Sequence, residues 1–162
     1  MRRLPLVAFL ALVVATIAAF FITQHLKVST PLISGVTQPD PGEINPLIAR
    51  TCYDTVRRHR VGPSTEISFY LLHASDKVDV YVVNQQGRRV ATLASGLFMK
   101  ARLYPHEVPT YFTWDGREAN GSIAADGTYH FNVHLIGQNR TVTVSNYSGP
   151  LPVTVNTRAR CP

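Results

Sequence analysis

From Thr65 onward, apolar and polar positions alternate with period two, the spacing of a strand buried on one face. Ile67, Phe69 and Leu71 fall on one side, Ser68 and Tyr70 on the other. Lys77 to Asn84 repeats the pattern, setting Val78, Val80 and Val82 against Asp79 and Tyr81. Gln85-Gln86-Gly87 then turns the chain into Arg88–Leu93, where Val90 and Leu93 break the alternation and predict a bulged edge strand. Phe112 and Trp114 alternate with Tyr111 and Thr113, so this strand aims two large aromatic groups at a core. Tyr129, Phe131, Val133 and Leu135 share a face opposite His130, Asn132 and His134, and Gly137-Gln138-Asn139 turns that strand into Arg140–Val144, with Val142 and Val144 inward. A last strand is expected at Val153–Asn156. Short strands separated by turn residues, without an amphipathic helix, predict an all-β, two-sheet antiparallel sandwich.

The turns between the two aromatic strands carry a more particular signal. Asp115-Gly116, Asn120-Gly121 and Asp126-Gly127 each pair a side chain that bonds its own backbone with a glycine. Tyr129 stands two residues before the inward Phe131 and just after a tight turn, the position at which immunoglobulin-type sandwiches bond a tyrosine hydroxyl back to upstream backbone. An aromatic strand, Trp114-Asp115-Gly116-Arg117, a glycine-turn excursion and Asp126-Gly127-Thr128-Tyr129-His130-Phe131 together resemble the immunoglobulin-like domain of the flagellar hook-capping protein FlgD. The resemblance covers residues 64 to 145 and implies an Ig-like sandwich, a module also carried by secreted bacterial proteins unrelated to flagella. It implies a structural role for Phe112, Trp114, Tyr129 and Phe131 and names no ligand.

Upstream the pattern changes. Leu4 to Ile22 holds no charged residue, and at ~1.5 Å per residue such a helix is long enough for a hydrocarbon core of about 30 Å. Arg2 and Arg3 precede it and Lys27 follows, so the positive-inside bias predicts a cytoplasmic N-terminus and an extracytoplasmic domain. A cleaved leader begins in the same way. The length of the apolar run, and a small-x-small site at Thr16-Ile17-Ala18 that lies inside it, favour an uncleaved signal anchor. Pro31, Pro39, Pro41 and Pro46 then predict a proline-rich spacer. The expected organisation is a cytoplasmic stub at 1–3, an anchor at 4–26, a linker at 27–48 and an Ig-like domain at 49–162.

Cys52 and Cys161 flank that domain, and outside the cell such a pair is expected to form one disulfide, two free thiols being the alternative. Setting aside Arg2 and Arg3 leaves fourteen basic against ten acidic residues, a modest positive excess. It is densest at Arg57-Arg58-His59-Arg60, which is either a solvated loop or a contact for anionic headgroups or an acidic wall polymer. Nucleic acid is not an expected partner. Ser95–Val108 shows neither period, and as a long loop it is the expected binding surface, with Lys100, Arg102, Tyr104 and His106, joined by Tyr111.

No nucleophile, phosphate-loop or metal motif is present. Asp115 and Asn120 lack the alternating oxygen ligands of a calcium loop, and His130 and His134 stand some 13 Å apart at ~3.3 Å per residue, too far to share one ion. Three Asn-x-Ser/Thr triplets, at Asn120, Asn139 and Asn146, read as turn chemistry. The expectation is therefore a non-enzymatic, cofactor-free, membrane-anchored Ig-like binding or structural module of the bacterial cell envelope. The alternatives are a carbohydrate or cell-wall polymer recognition module, and an accessory subunit of a membrane complex.

Overall fold

A computed structural model describes residues 4–29, 31–55, 57–102, 109–146 and 148–159. The chain forms two compact units, Met1–Pro31 and Leu32–Pro162. The first is a helix, α1, Leu4–Ser29, whose side chains are described from Val7 to Thr23. Among the described residues no helix is long and apolar enough to cross a membrane. Thr16 and Thr23, the hydroxyl-bearing residues of that stretch, donate to the carbonyls of Leu12 and Ala19 at 2.8 Å, which satisfies both hydroxyls within the helix.

The second unit holds the strands β1 Ile33–Ser34, β2 Glu43–Ile44, β3 Cys52–Asp54, β4 His59–Gly62, β5 Thr65–Leu71, β6 Asp76–Asn84, β7 Arg89–Met99, β8 Thr110–Trp114, β9 Gly127–Leu135, β10 Arg140–Thr143, β11 Ser145–Asn146, β12 Gly149–Pro150 and β13 Pro152–Val155. They make a three-stranded sheet ordered β1-β5-β8 and an eight-stranded sheet ordered β3-β4-β2-β13-β9-β6-β7, with β10 also on β9. A separate two-stranded ribbon joins β11 and β12. The period-two faces read in β5, β6 and β9 are the buried ones: Ile67, Phe69, Leu71, Val78, Val80, Val82, Phe131, Val133 and Leu135 are all fully buried.

An aromatic group joins the two sheets. Trp114, on β8 of the small sheet, packs against Tyr129 and Phe131 of β9 with ring centroids at 5.0 and 6.4 Å, the second edge to face. Phe112 stacks on Phe69 at 5.1 Å within the small sheet. The Tyr129 hydroxyl donates to the Ala125 carbonyl at 2.7 Å, fixing the turn that leads into β9. Burial pushes the pKa of this hydroxyl up, with the Glu118 carboxylate adding to the effect. Tyr129→Phe is expected to cost about 1 kcal/mol, since it removes the bond to the Ala125 carbonyl while leaving the ring in place, as urea unfolding would measure.

Three features differ from the sequence expectation. Residues from Leu32 onward are not a free spacer: Leu32, Ile44 and Asn45 are buried, and β1 and β2 add to the two sheets. The Asn45 amide donates to the carbonyls of Ala159 and Thr157 at 2.7 and 3.2 Å, tying this segment to the end of the described domain. The sandwich is also not wholly antiparallel, because β2 lies between β13 and β4 and runs parallel to both. Two-residue strands between prolines carry no period, so neither feature is visible as alternation. Finally, β7 runs on to Met99 and takes up the first part of the expected loop; of its three register shifts against β6, two skip Val90 and Leu93, where the bulge is expected, and the third lies beyond them, between Ala94 and Leu97.

Candidate binding surfaces

Two exposed clusters bring chemically capable side chains together. The first lies on the outer face of the small sheet. Tyr111 on β8 stands opposite Ser68 on β5, so Tyr70, two residues along, is its diagonal neighbour. The Arg102 guanidinium lies over the Tyr70 ring, 4.2 Å from its centroid, and donates to the Tyr70 hydroxyl. Lys100 is exposed and Tyr111 is 53% exposed. Of the residues read as a binding surface, Lys100, Arg102 and Tyr111 are thus placed, whereas Tyr104 and His106 lie outside the described residues. Tyr70 was not read as part of the surface. Its signal was present, since period two in β5 directs it outward.

The second cluster is a cleft of about 490 Å³ beside β2, β3 and β4, lined by Asp40, Gly42, Glu43, Tyr53, His59, Arg60 and Thr154. Glu43 is mostly buried and accepts from His59 Nε2 at 2.8 Å, Asn156 Nδ2 at 2.9 Å and Arg57 at 3.2 Å. Arg60 pairs with Asp40 at 2.6 Å. The dense basic run therefore has Arg57, His59 and Arg60 turned onto two acidic residues from the expected linker. Sequence reading missed Asp40, Glu43 and Tyr53 as site residues. Two acids placed upstream of a basic run were the available sign.

Other polar groups singled out in the sequence serve the backbone. Asp115 Oδ1 accepts from the Arg117 amide at 3.1 Å, and Asn120 Oδ1 from the Ser122 amide and hydroxyl at 2.9 and 2.7 Å, so the carboxylate and the carboxamide each close a turn. His134 Nδ1 meets Thr141 at 3.1 Å, while His130 Nδ1 is buried without a hydrogen-bond partner. Cys52 is disulfide-bonded and no free cysteine occurs among the described residues; Cys161 lies outside them. Asp126 accepts the Thr157 amide at 2.8 Å and Asp79 the Gly96 amide at 2.8 Å. These amides hold both carboxyls below the usual 3.8, with Ser95 and then Arg89 adding to the effect at Asp79.

That shift carries a sign. A carboxyl with a lowered folded-state pKa contributes stability above 3.8, and the contribution is lost as pH falls through the lowered value. The stability gap between the wild type and Asp126→Ala is therefore expected to be constant near neutrality and to close below 3.8 in urea unfolding at stepped pH.

The turns and aromatic contacts around Trp114 and Tyr129 meet a family model described as the FlgD Ig-like domain, which matches residues 54–139. The chain belongs to the FlgD Ig-like domain family. Within that FlgD-type domain, Phe112, Trp114, Tyr129 and Phe131 are core residues, and the residues of both clusters stand outside the core. Six solved chains match. One is the dimeric latent PorU from Porphyromonas gingivalis, with a TM-score of 0.47 and 14% identity over 80% of this chain and 10% of that one. The chain thus spans about a tenth of the length of PorU. No curated protein matches.

Proposed function

We propose that this chain is a non-catalytic, membrane-anchored Ig-like module of the bacterial cell envelope, with α1 in the bilayer, the N-terminus cytoplasmic and the FlgD-type domain outside. The observation that carries this reading is the surface of α1. Val7, Phe9, Leu12, Val14, Ile17 and Ile22 are each at least half exposed, and at ~100° per residue they point to every side of the helix. Such a helix has no face suited to water. Its internally bonded threonines suit hydrocarbon, where an unpaired hydroxyl is costly. Alkaline carbonate extraction of cells is expected to leave the full chain in the membrane pellet, with the domain digestible by protease added outside. Release into the soluble fraction would sink the anchor, and turnover of any envelope substrate by the purified full chain would sink the non-catalytic reading.

In that compartment Cys161 is the partner we assign to Cys52. Thiol titration of the chain taken from its native envelope is expected to find none free, and serine at both positions to cost about 2–4 kcal/mol of unfolding stability. Two titratable thiols would refute the pairing.

The Tyr70, Arg102 and Tyr111 face favours a second reading, recognition of an acidic wall polymer, because it joins flat rings to a guanidinium with Lys100 nearby. Binding of poly(glycerol phosphate) is expected to fall with rising salt and to be lost when Tyr70 and Tyr111 both become alanine. Retained binding in that double variant would count against it.

A further inference from the structure

We propose that the cleft beside β2, β3 and β4 binds an uncharged saccharide chain. It is a different site from the Tyr70 face and stands whether or not α1 is an anchor. The β3–β4 pairing sets Tyr53 opposite Arg60, and Tyr53, which lines the cleft, is 53% exposed. A pyranose presents an apolar C–H face and a rim of hydroxyls that both donate and accept. An open aromatic ring bordered by fixed donors and acceptors is its complement.

Charge balance selects the uncharged form. Each carboxylate in the cleft already holds a cation: Glu43 has Arg57 with His59 beside it, and Asp40 has Arg60. An anionic ligand would be repelled by the Glu43 and Asp40 carboxylates and a cationic one by Arg60, whereas a neutral hydroxyl meets neither cost. Glu43 accepts three hydrogen bonds, which leaves about one of a carboxylate's four lone-pair sites for a ligand O–H. Arg60 uses one N–H on Asp40, and the rest of its fork is available to ring or hydroxyl oxygens. Thr154, the register partner of Glu43 on β13, also lines the cleft.

The test is saturation-transfer NMR on the full chain, held in nanodiscs or, should α1 not insert, in mild detergent, with cellotetraose, maltotetraose and chitotetraose as neutral probes and a galacturonate tetramer as the charged one. At least one neutral probe is expected to bind, and its affinity to survive about 0.5 M salt, at which surface charges are largely screened. Tyr53→Ala is expected to weaken it about tenfold or more, the scale of about 1.4 kcal/mol. Arg60→Gln should weaken it several-fold, while Tyr111→Ala, on the other face, leaves it unchanged. Trp114 fluorescence reports that each variant is folded, and Arg60→Gln decides the matter if Tyr53→Ala is not. Binding by no neutral tetramer, preference for the galacturonate probe, equal binding in both cleft variants, or loss in Tyr111→Ala would each overturn the proposal. Loss confined to Tyr111→Ala would place saccharide on the Tyr70 face instead.

Discussion

Trp114→Ala is expected to destabilise the FlgD-type domain by about 3–5 kcal/mol, the range for removing a buried aromatic group from a core that closes only partly behind it. The indole is 1% exposed, and it is the group through which the small sheet touches Tyr129 and Phe131 of the large one. Its removal therefore opens a void between two layers held apart by backbone sheets about 10 Å from each other. A second loss adds to the void. The indole N–H donates to the Arg117 carbonyl at 2.9 Å, so alanine also frees an acceptor in the turn that follows. Urea unfolding followed by far-UV circular dichroism measures the change. An effect near 1 kcal/mol would mean that the two sheets do not rely on this contact. Trp114→Phe, which keeps a ring and loses the N–H, is expected to fall between the wild type and alanine.

The parts of this fold that were legible in the sequence are those in which one face is buried over several residues. In β5, β6 and β9 the alternation of Ile67, Phe69 and Leu71, of the valines, and of Tyr129 to Leu135 is enforced by the core itself, so the pattern and the structure record one constraint. Local turn chemistry was legible for the same reason, since Asp115 and Asn120 bond within two residues of themselves. What was hidden depends on distant partners. Ile44 is fully buried, yet it sits in a two-residue strand among prolines and shows no period. The cleft draws Asp40 and Glu43 together with Tyr53, Arg60 and Thr154, positions spread over more than a hundred residues, and the parallel pairing of β2 with β13 and β4 that assembles them leaves no mark on any one segment. The Tyr70 face was half legible, because alternation gives its direction, whereas the cation lying over its ring comes from Arg102.

The packing of that hidden segment can be measured at Gly116. Its φ is +73°, in the left-handed region, and a Cβ placed there would lie 2.5 Å from Pro46 Cγ and 3.0 Å from Ile44 Cδ1. Alanine at this position meets two costs: about 1–2 kcal/mol for the left-handed backbone, and about 1–3 kcal/mol for forcing apart a packed contact. The expected total is about 2–5 kcal/mol. Gly121 supplies the internal control, since its φ is +84° and nothing lies within 4 Å of its Cβ direction. Gly121→Ala should therefore show the backbone cost alone, about 1–2 kcal/mol. The difference between the two variants isolates the contact of Ile44 and Pro46 with the turn after Trp114. Because Glu43 precedes Ile44 in β2, that same contact anchors one wall of the saccharide cleft. Gly116→Ala is accordingly expected to weaken any cleft ligand as well as the fold, and Gly121→Ala to spare the ligand. Equal destabilisation by the two alanines would show that residues 44 to 46 do not pack on this turn in solution, and the cleft would lose the support that shapes it.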